Sequence, residues 1–322
     1  MAPSRIRQAD PVRLLLLDSA SLYWRAYHAL PDSIVDREGQ PVNAVRGFLD
    51  TIGRLMIERH PDLVVACWDD DWRPAWRVAL VPSYKTHRVE DALDASSDEE
   101  VVPDTLGPQI PVILELLDAL GIGVVGAPDC EADDVIATLA LRHSSRGDHV
   151  DIASGDRDLV QLVDDRVRLL YTGGTSASRG GAPWVEYDPM GVVEAYSVTP
   201  AQYPLMAALR GDPSDGLPGL PGIGAKTAVA LVNAFGEFDA LLSAARATPV
   251  RPMTPRLADI LTEGEDVLRA CLSVTALEQR PGVVEVGQMG SVDRDRVHGL
   301  AEHYNVERAV SRILEQHQGA DE

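Results

Sequence analysis

One device recurs along the first half of this chain: a short apolar run, unbroken by polar alternation, that ends at or just before an aspartate. It is seen at Val12–Asp18 and at Asp62–Asp69 (DLVVACWD); His149–Asp156 (HVDIASGD), with Asp151 inside it, reads as a further strand ending in Asp, and shorter runs lie at Gly121–Gly126 and Arg166–Tyr171. A strand covered on one face alternates apolar and polar residues; an unbroken run of this length suits a strand buried on both faces. Between the runs the spacing turns helical, at Ser19–Leu30, Gln109–Leu120 and Glu131–His143, where Val135, Ile136, Leu139 and Ala140 share one face. Strands alternating with helices predict βαβ units and a mostly parallel sheet, hence an α/β fold. In such sheets ligands gather at the carboxyl ends of the strands.

The second half reads differently. From about Pro189 the spacing predicts short helices, with one further strand at Val283–Val286. Gly211–Gly224 holds five glycines and three prolines, a loop of defined turns rather than a linker. Ser176–Gly181 is a small, polar, glycine-rich loop. We therefore expect an α/β domain over 12–188, a helical region over 189–290 and terminal helices over 291–322 that pack back on the α/β body.

Several classes are excluded. No apolar run approaches the roughly 18–20 residues that span a bilayer; the longest apolar-rich stretch, Ile110–Val125, is interrupted by Glu115 and Asp118. Leu14–Leu17 is too short for a signal peptide. Cys67, Cys130 and Cys271 are widely spaced and form no CxxC, which predicts neither a disulfide framework nor a zinc cluster. The expected compartment is the reducing cytoplasm.

The acids carry the chemistry. Asp18 and Asp69 close the first two runs. Glu131, Asp133 and Asp134 open the helix after the third, Asp156 and Asp158 follow the fourth, and Asp212 and Asp215 lie in the Gly/Pro loop. Parallel, adjacent strands bring most of these to one sheet edge, and the i, i+3 spacing of Glu131 and Asp134 puts both on one helix face. Any single one is equally well read as a helix cap or a solvated loop residue, and Asp129 is expected to cap the helix opening at Glu131. Nine together need compensating charge, because mutual repulsion raises their pKa values. All-oxygen sites suit Mg²⁺ or Mn²⁺, and two ions about 3.5–4 Å apart clamp the attacking and leaving oxygens of a phosphoryl displacement.

Net charge points the other way at first. Fifty Asp+Glu against 29 Lys+Arg leave the chain at −21, which argues against a polyanionic partner. The excess is localised: besides the nine acids above, segment 89–104 holds seven acids and no cation. By contrast, between Trp72 and Val89 lie Arg73, Arg77, Lys85 and Arg88 with no acid, and Trp76 and Tyr84 add aromatic surface for base stacking. The chain has only two lysines, Lys85 here and Lys226 in Leu217–Ala228 (LPGLPGIGAKTA). There, Gly222 and Gly224 would let backbone N–H groups at a helix start approach a phosphate, with Lys226 and Thr227 beside them. A Walker loop is excluded because Ala225 precedes the lysine, and a GxGxxG loop because Thr227 stands at its last glycine.

Taken in order, LLLLDSASLYWRAYHAL (14–30), WDDDWRPAWR (68–77), SYKTHR (83–88), EADD (131–134), SGDRDLVQLV (154–163) and GDPSDGLPGLPGIGAKTA (211–228) resemble the bacterial 5′-3′ exonucleases of the flap endonuclease family, which occur as the N-terminal domain of DNA polymerase I and as stand-alone enzymes. The resemblance runs from about Val12 to Val286, with Trp68 and Arg157 where the family commonly has Phe and Lys. It implies a PIN-like, FEN-like sheet with a helical arch at about 84–108 and a helix-three-turn-helix element at about 211–236. It implies a first metal site of Asp18, Asp69, Glu131 and Asp133, a second shared through Asp133 with Asp156, Asp158 and Asp212, and Asp134 and Asp215 as outer or third-ion acids, for two or three Mg²⁺ or Mn²⁺ in all. Lys85 and Arg77 would contact the scissile phosphate. Tyr84, stacking on the unpaired terminal nucleotide, and Arg88 would stand at the arch base, and Arg25 would be a further DNA contact. Gly222, Gly224, Lys226 and Thr227 would bind duplex backbone, with K⁺ on the hairpin carbonyls. The implied activity is divalent-metal-dependent 5′-3′ exonuclease and flap endonuclease cleavage of DNA at flaps, nicks or gaps, in Okazaki-fragment processing or repair. The implied protein is a nucleoid-associated monomer without a clamp-binding motif in Arg312–Glu322. The alternatives are a PIN-class ribonuclease and a catalytically weak DNA-binding member of the family.

Overall fold

The four leucines of β1(Arg13–Asp18) are each at most 2% exposed, because this strand runs through the middle of a six-stranded sheet covered on both faces. Leu14 and Leu16 enter one core and Leu15 and Leu17 the other. Successive side chains of a strand point to opposite faces, so a strand between two cores has to be apolar throughout. In the computed structural model, residues 11–89, 100–174 and 184–317 are described.

β1 is flanked by β2(Leu63–Cys67) and β4(His149–Ser154). β3(Gly123–Val125) lies beyond β2, and β5(Val167–Tyr171) and β6(Val185–Tyr187) lie beyond β4. All pairings are parallel except β5–β6. The register sets Asp18 against Cys67 and Leu17 against Ala153, so β1, β2 and β4 end at the same level. The chain builds from β1 outward to β3 and then returns to build β4 and β5 on the other side. The order reverses between β1 and β4, which opens a crevice at their carboxyl ends.

One face of the sheet is covered by α1(Ser19–Ala29), α2(Asn43–Arg59), α4(Gln109–Ala119) and the terminal α12(Arg294–His303) and α13(Glu307–His317). α1 and α2 approach closely because residue 47 is glycine: a Cβ there would lie 2.7 Å from the Cβ of Ala26. The other face carries α5(Ala132–Arg146) and, beyond it, a helical layer of α6(Pro189–Tyr196), α7(Tyr203–Arg210), α8(Ala225–Phe235), α9(Phe238–Arg246), α10(Pro255–Glu263) and α11(Glu265–Thr275). A short α3(Ala75–Leu80) follows β2.

Two expectations are corrected and one element is added. The strand expected at Val283–Val286 does not form: the Val283 carbonyl accepts from Arg142 at 2.8 Å and Val284 is 70% exposed, so the segment joins no ladder. Asp129 does not cap α5; it sits outside the helix at a left-handed φ of 57°, and Glu131 is the cap. The longest helix, α2, occupies a span for which no element was expected. The acidic stretch 90–99 of the expected arch and the loop Ser176–Gly181 lie outside the described residues. Val89 and Glu100, at the two ends of the former, form an antiparallel bridge. No single helix among the described residues is long and apolar enough to cross a membrane.

Candidate active site

The end of each central strand turns an acid into a local hydrogen-bond acceptor. Asp18 closes β1 and caps α1, its Oδ1 accepting from the Ser21 N–H at 3.2 Å. Its Oδ2 accepts from the Ser154 hydroxyl at the end of β4, and that hydroxyl accepts from the Asp156 N–H at 2.8 Å. Asp156 Oδ1 in turn accepts from the Asp158 N–H at 2.8 Å. Asp69, just past β2, accepts from the Ala132 N–H at 2.9 Å and so ties β2 to the start of α5. Glu131 and Asp134 form a capping box there, with the Glu131 N–H donating to Asp134 at 3.1 Å. Asp212 accepts from the Ser214 N–H at 2.9 Å and closes the tight turn back to Leu217.

These acids converge. Asp18, Asp69, Glu131, Asp133, Asp156, Asp212 and Asp215 line one cleft of about 810 Å³, together with Lys85 and Arg88. Asp134 and Asp158 are not among the lining residues; Asp134 is fully buried and Asp158 half-buried. Burial, followed by repulsion from Asp69, pushes the Asp18 carboxyl up to about 7. Burial and Asp215 push Asp156 up to about 6, and burial and Asp156 push Asp158 well above the carboxylate range. A buried, mutually repelling, all-carboxylate donor set fits hard divalent cations, whose charge would relieve both effects. Among the described residues, three ligand atoms mutually within 4.8 Å occur at Asp36, Glu38 and His303, outside this cleft; the seven acids that line the cleft are spread around its wall.

The cations sit on one side. Arg77, at most 1% exposed, pairs with Glu131 at 2.8 Å, Asp134 at 3.1 Å and Asp133 at 3.4 Å. Lys85 donates to Glu131, and Tyr84 Oη donates to the same carboxylate at 2.8 Å. Burial drives Glu131 up to about 7 against the pull of Lys85 and Arg77. Burial alone would lower Lys85, but Glu131, Asp215 and Asp133 raise it on balance, so it is held as an ammonium. Lys85 has a left-handed φ of 49° and its N–H donates to the Asp215 carbonyl at 3.0 Å. Ser83 Oγ donates to the Gly216 carbonyl at 2.7 Å and Arg88 to that of Ser214 at 3.1 Å. Segment 83–88 is thereby stitched to the loop that carries Asp212 and Asp215. Gly216 is required there, since a Cβ would lie 2.0 Å from the Ser83 carbonyl oxygen.

The structure revises the expected substrate contacts. Tyr84 offers no stacking face: it is 3% exposed and its hydroxyl is committed to Glu131, so it orients a carboxylate. Trp76 is likewise taken, with the guanidinium carbons of Arg77 and Arg280 at 4.9 and 4.4 Å from its ring centroid. Arg77 does not line the cleft, and Arg73 is buried with Nε donating to the Tyr84 carbonyl at 2.8 Å, so the basic stretch is not a solvent-facing stripe. Arg25 lies outside the cleft and donates to the Gly174 carbonyl at 3.2 Å. Gly222, Gly224, Lys226 and Thr227 also lie outside it, at the start of α8, where no side chain caps the helix; the first three are exposed. Gly222 has a φ of 92°, which favours glycine. Two residues of the site were not singled out in the sequence: Ser154, which opens SGDRDLVQLV and places a hydroxyl between two acids, and Arg280, which has no motif around it and pairs with Asp134 at 3.3 Å from 146 positions away.

The chain matches two family models, the 5′-3′ exonuclease N-terminal resolvase-like domain over residues 13–197 and the 5′-3′ exonuclease C-terminal SAM fold over 198–289. It is 46% identical over 305 residues to a 5′-3′ exonuclease of Streptomyces coelicolor, covering 93% of this chain and 98% of that one. It is 40% identical over 314 residues to a 5′-3′ exonuclease of Mycobacterium tuberculosis, covering 93% and 96%. With DNA polymerase I of Mycobacterium bovis it shares 37% identity over 303 residues, which are 31% of that longer protein. In fold it is similar to the bacteriophage T5 D15 flap endonuclease in a complex with DNA and metal ions, with a TM-score of 0.64 at 19% identity over 96% of this chain and 100% of that one. The catalytic core of Rad2 with DNA substrate is similar at a TM-score of 0.58 and 18% identity, over 95% and 93%.

Proposed function

The chain belongs to the 5′-3′ exonuclease family, and from that premise we propose that its cleft is a divalent-metal-dependent 5′ nuclease site acting on DNA, as a 5′-3′ exonuclease and as a flap endonuclease near single/double-strand junctions. The observation that carries this reading is the convergence of strand-end acids on one cleft that also holds Lys85. Asp18, Asp69, Glu131 and Asp133 would hold one ion, and Asp133, Asp156, Asp158 and Asp212 another, with Asp134 and Asp215 supporting them or a third; Mg²⁺ and Mn²⁺ suit the oxygen donors. When bound, such ions supply Lewis acidity and charge neutralisation at a phosphodiester.

The remaining roles fall to this chain's own side chains. Lys85, fixed on Glu131 and facing the cleft, places an ammonium where negative charge develops on the phosphate oxygens. Arg77 holds Glu131, Asp133 and Asp134 in place from behind. Arg88, half exposed and held by the Ser214 carbonyl and Asp215, lines the cleft where it would meet a backbone phosphate. The start of α8, with Gly222, Gly224, Lys226 and Thr227, would grip duplex backbone at a distance, and its carbonyls would hold K⁺. Contacts of this kind make recognition follow DNA structure rather than base sequence. Flaps, nicks and gaps left by replication or repair are the matching substrates, for a monomer working on chromosomal DNA.

The test is cleavage of a 5′-flap DNA duplex with Mg²⁺ or Mn²⁺. Wild type should cut near the junction only with divalent ion, and Asp133→Ala should lose at least about 10²-fold in rate. Cleavage that ignores divalent ions, or cleavage of single-stranded RNA alone, would overturn the reading.

A further inference from the structure

Helix α1 is a wall shared by two cavities. Ala20, Ser21 and Trp24 face the carboxylate cleft, whereas Leu22, Arg25 and Ala29 face a second cavity of about 420 Å³ on the other side of the helix. That volume falls in the range of small-molecule sites, about 300–1,000 Å³. Its charge is opposite to that of the cleft. Arg25, Arg54 and Arg312 line it with a single carboxylate, Asp50, and this already pairs with Arg46 at 2.9 Å and Arg312 at 3.0 Å. In a chain with fifty Asp+Glu against 29 Lys+Arg, such a concentration of arginine is not what composition alone would give. Arg54 has no ion-pair partner among the described residues.

A second, independent observation comes from the cavity wall. Thr172 follows β5, is 3% exposed and lines the cavity, yet its hydroxyl has no hydrogen-bond partner among the described residues. A buried hydroxyl left without a partner is costly, so such a group calls for a ligand or an ordered polar atom. Trp184, 7% exposed, supplies an aromatic wall beside it. Guanidinium groups, a hydroxyl and an aromatic surface are what a phosphate ester carrying a flat base would need.

We propose that this second cavity binds the phosphate group of a nucleotide, with Arg25 and Arg54 on the phosphate oxygens and the Thr172 hydroxyl as an additional donor. The choice of a nucleotide rests on the nuclease reading; the anion site does not. The ligand has two possible sources, a free mononucleotide or the 5′-phosphate end of a strand.

The test is calorimetric titration of the full chain in chelator, where the carboxylate cleft repels anions and no cleavage is involved. dTMP should bind at least about tenfold more tightly than thymidine, which lacks the phosphate. Arg54→Ala should weaken dTMP about tenfold and Thr172→Ala about threefold, with unchanged thermal unfolding for Arg54→Ala. A 5′-phosphorylated oligothymidylate binding more than about tenfold more tightly than dTMP, with that gain lost in Arg54→Ala, identifies a strand end in this cavity; a gain that Arg54→Ala leaves intact, or equal affinity, identifies the mononucleotide. Inorganic phosphate binding as tightly as dTMP overturns the nucleotide. Failure of dTMP to bind, or binding untouched by both substitutions, overturns the site. Failure of the nuclease reading would instead appear in the flap assay, which this titration does not use.

Discussion

The two walls of the carboxylate cleft solve the same problem differently. On the α5 wall, Glu131, Asp133 and Asp134 are compensated from within, by Arg77, Lys85 and Arg280. On the wall formed by the ends of β1 and β4, Asp18 and Asp156 are supported by a serine hydroxyl and backbone N–H groups, which donate hydrogen bonds but bring no charge. One wall therefore carries its cations as the chain folds, although burial still pushes the Glu131 carboxyl up, while the other is left short of positive charge. A site that needs ions at a fixed place does well to hold one rim rigid and leave the other electrostatically unsatisfied, so that folding shapes the pocket and binding completes it.

Removing Arg77 should break this contrast most severely. Arg77→Met leaves buried carboxylates without their cation, a change that typically costs about 3–5 kcal/mol. Urea unfolding should show that loss; a loss below about 1 kcal/mol would mean the α5 wall is not held by this pair network.

The opposite wall should respond with the opposite sign. Asp18 at about 7 and Asp156 at about 6 lie above the ordinary value of 3.8, and Glu131 across the cleft, at about 7, lies above its own of 4.5, so the folded protein keeps protons that the unfolded chain has released. In chelator, stability should fall as pH rises from about 4 to about 7 and level off above that. Asp18→Asn should remove part of that fall and stabilise the ion-free protein by about 1–2 kcal/mol at pH 8, while weakening the stabilisation that Mg²⁺ adds. Thermal melts with and without Mg²⁺ measure both effects. An ion-free melting point that rises with pH over that window would contradict the assignment of this wall.

The smallest effect should come from Tyr84→Phe. It deletes one hydrogen bond to Glu131 and keeps the ring, at a cost of about 0.5–1.5 kcal/mol. Affinity for a flap with an unpaired terminal nucleotide should stay unchanged, because the ring is buried. A specific loss of that affinity would restore the stacking role.

How much was legible varies with range. The strands β1 and β2 were readable because a strand between two cores writes its burial into nearly every residue, and the acids that follow β1, β2 and β4 were readable because topology puts strand ends on one edge. Helix α2 was not. Gly47 and Gly53 interrupt its pattern, no side chain caps its start, and its character depends on packing against α1 and α13. Three-residue β6 is too short to show a period, and the apolar Val283–Val286 has the composition of a strand but no free ladder to join. Among the site residues, Tyr84, Trp76 and Arg77 were recognisable as belonging near the acids, but not by the way they face. Arg25 carried no mark of lying beside a different cavity.

The sequence by itself determined the α/β class, the strands β1 to β5, the nine acids and the basic segment that meets them, because these follow from local periodicity and residue chemistry. Only the tertiary structure decided which acid is answered by a cation and which is left for an ion. Lys85 reaches Glu131 across 46 positions and Arg280 reaches Asp134 across 146, and ion pairs that close over such spans leave no trace in either residue's neighbours along the chain.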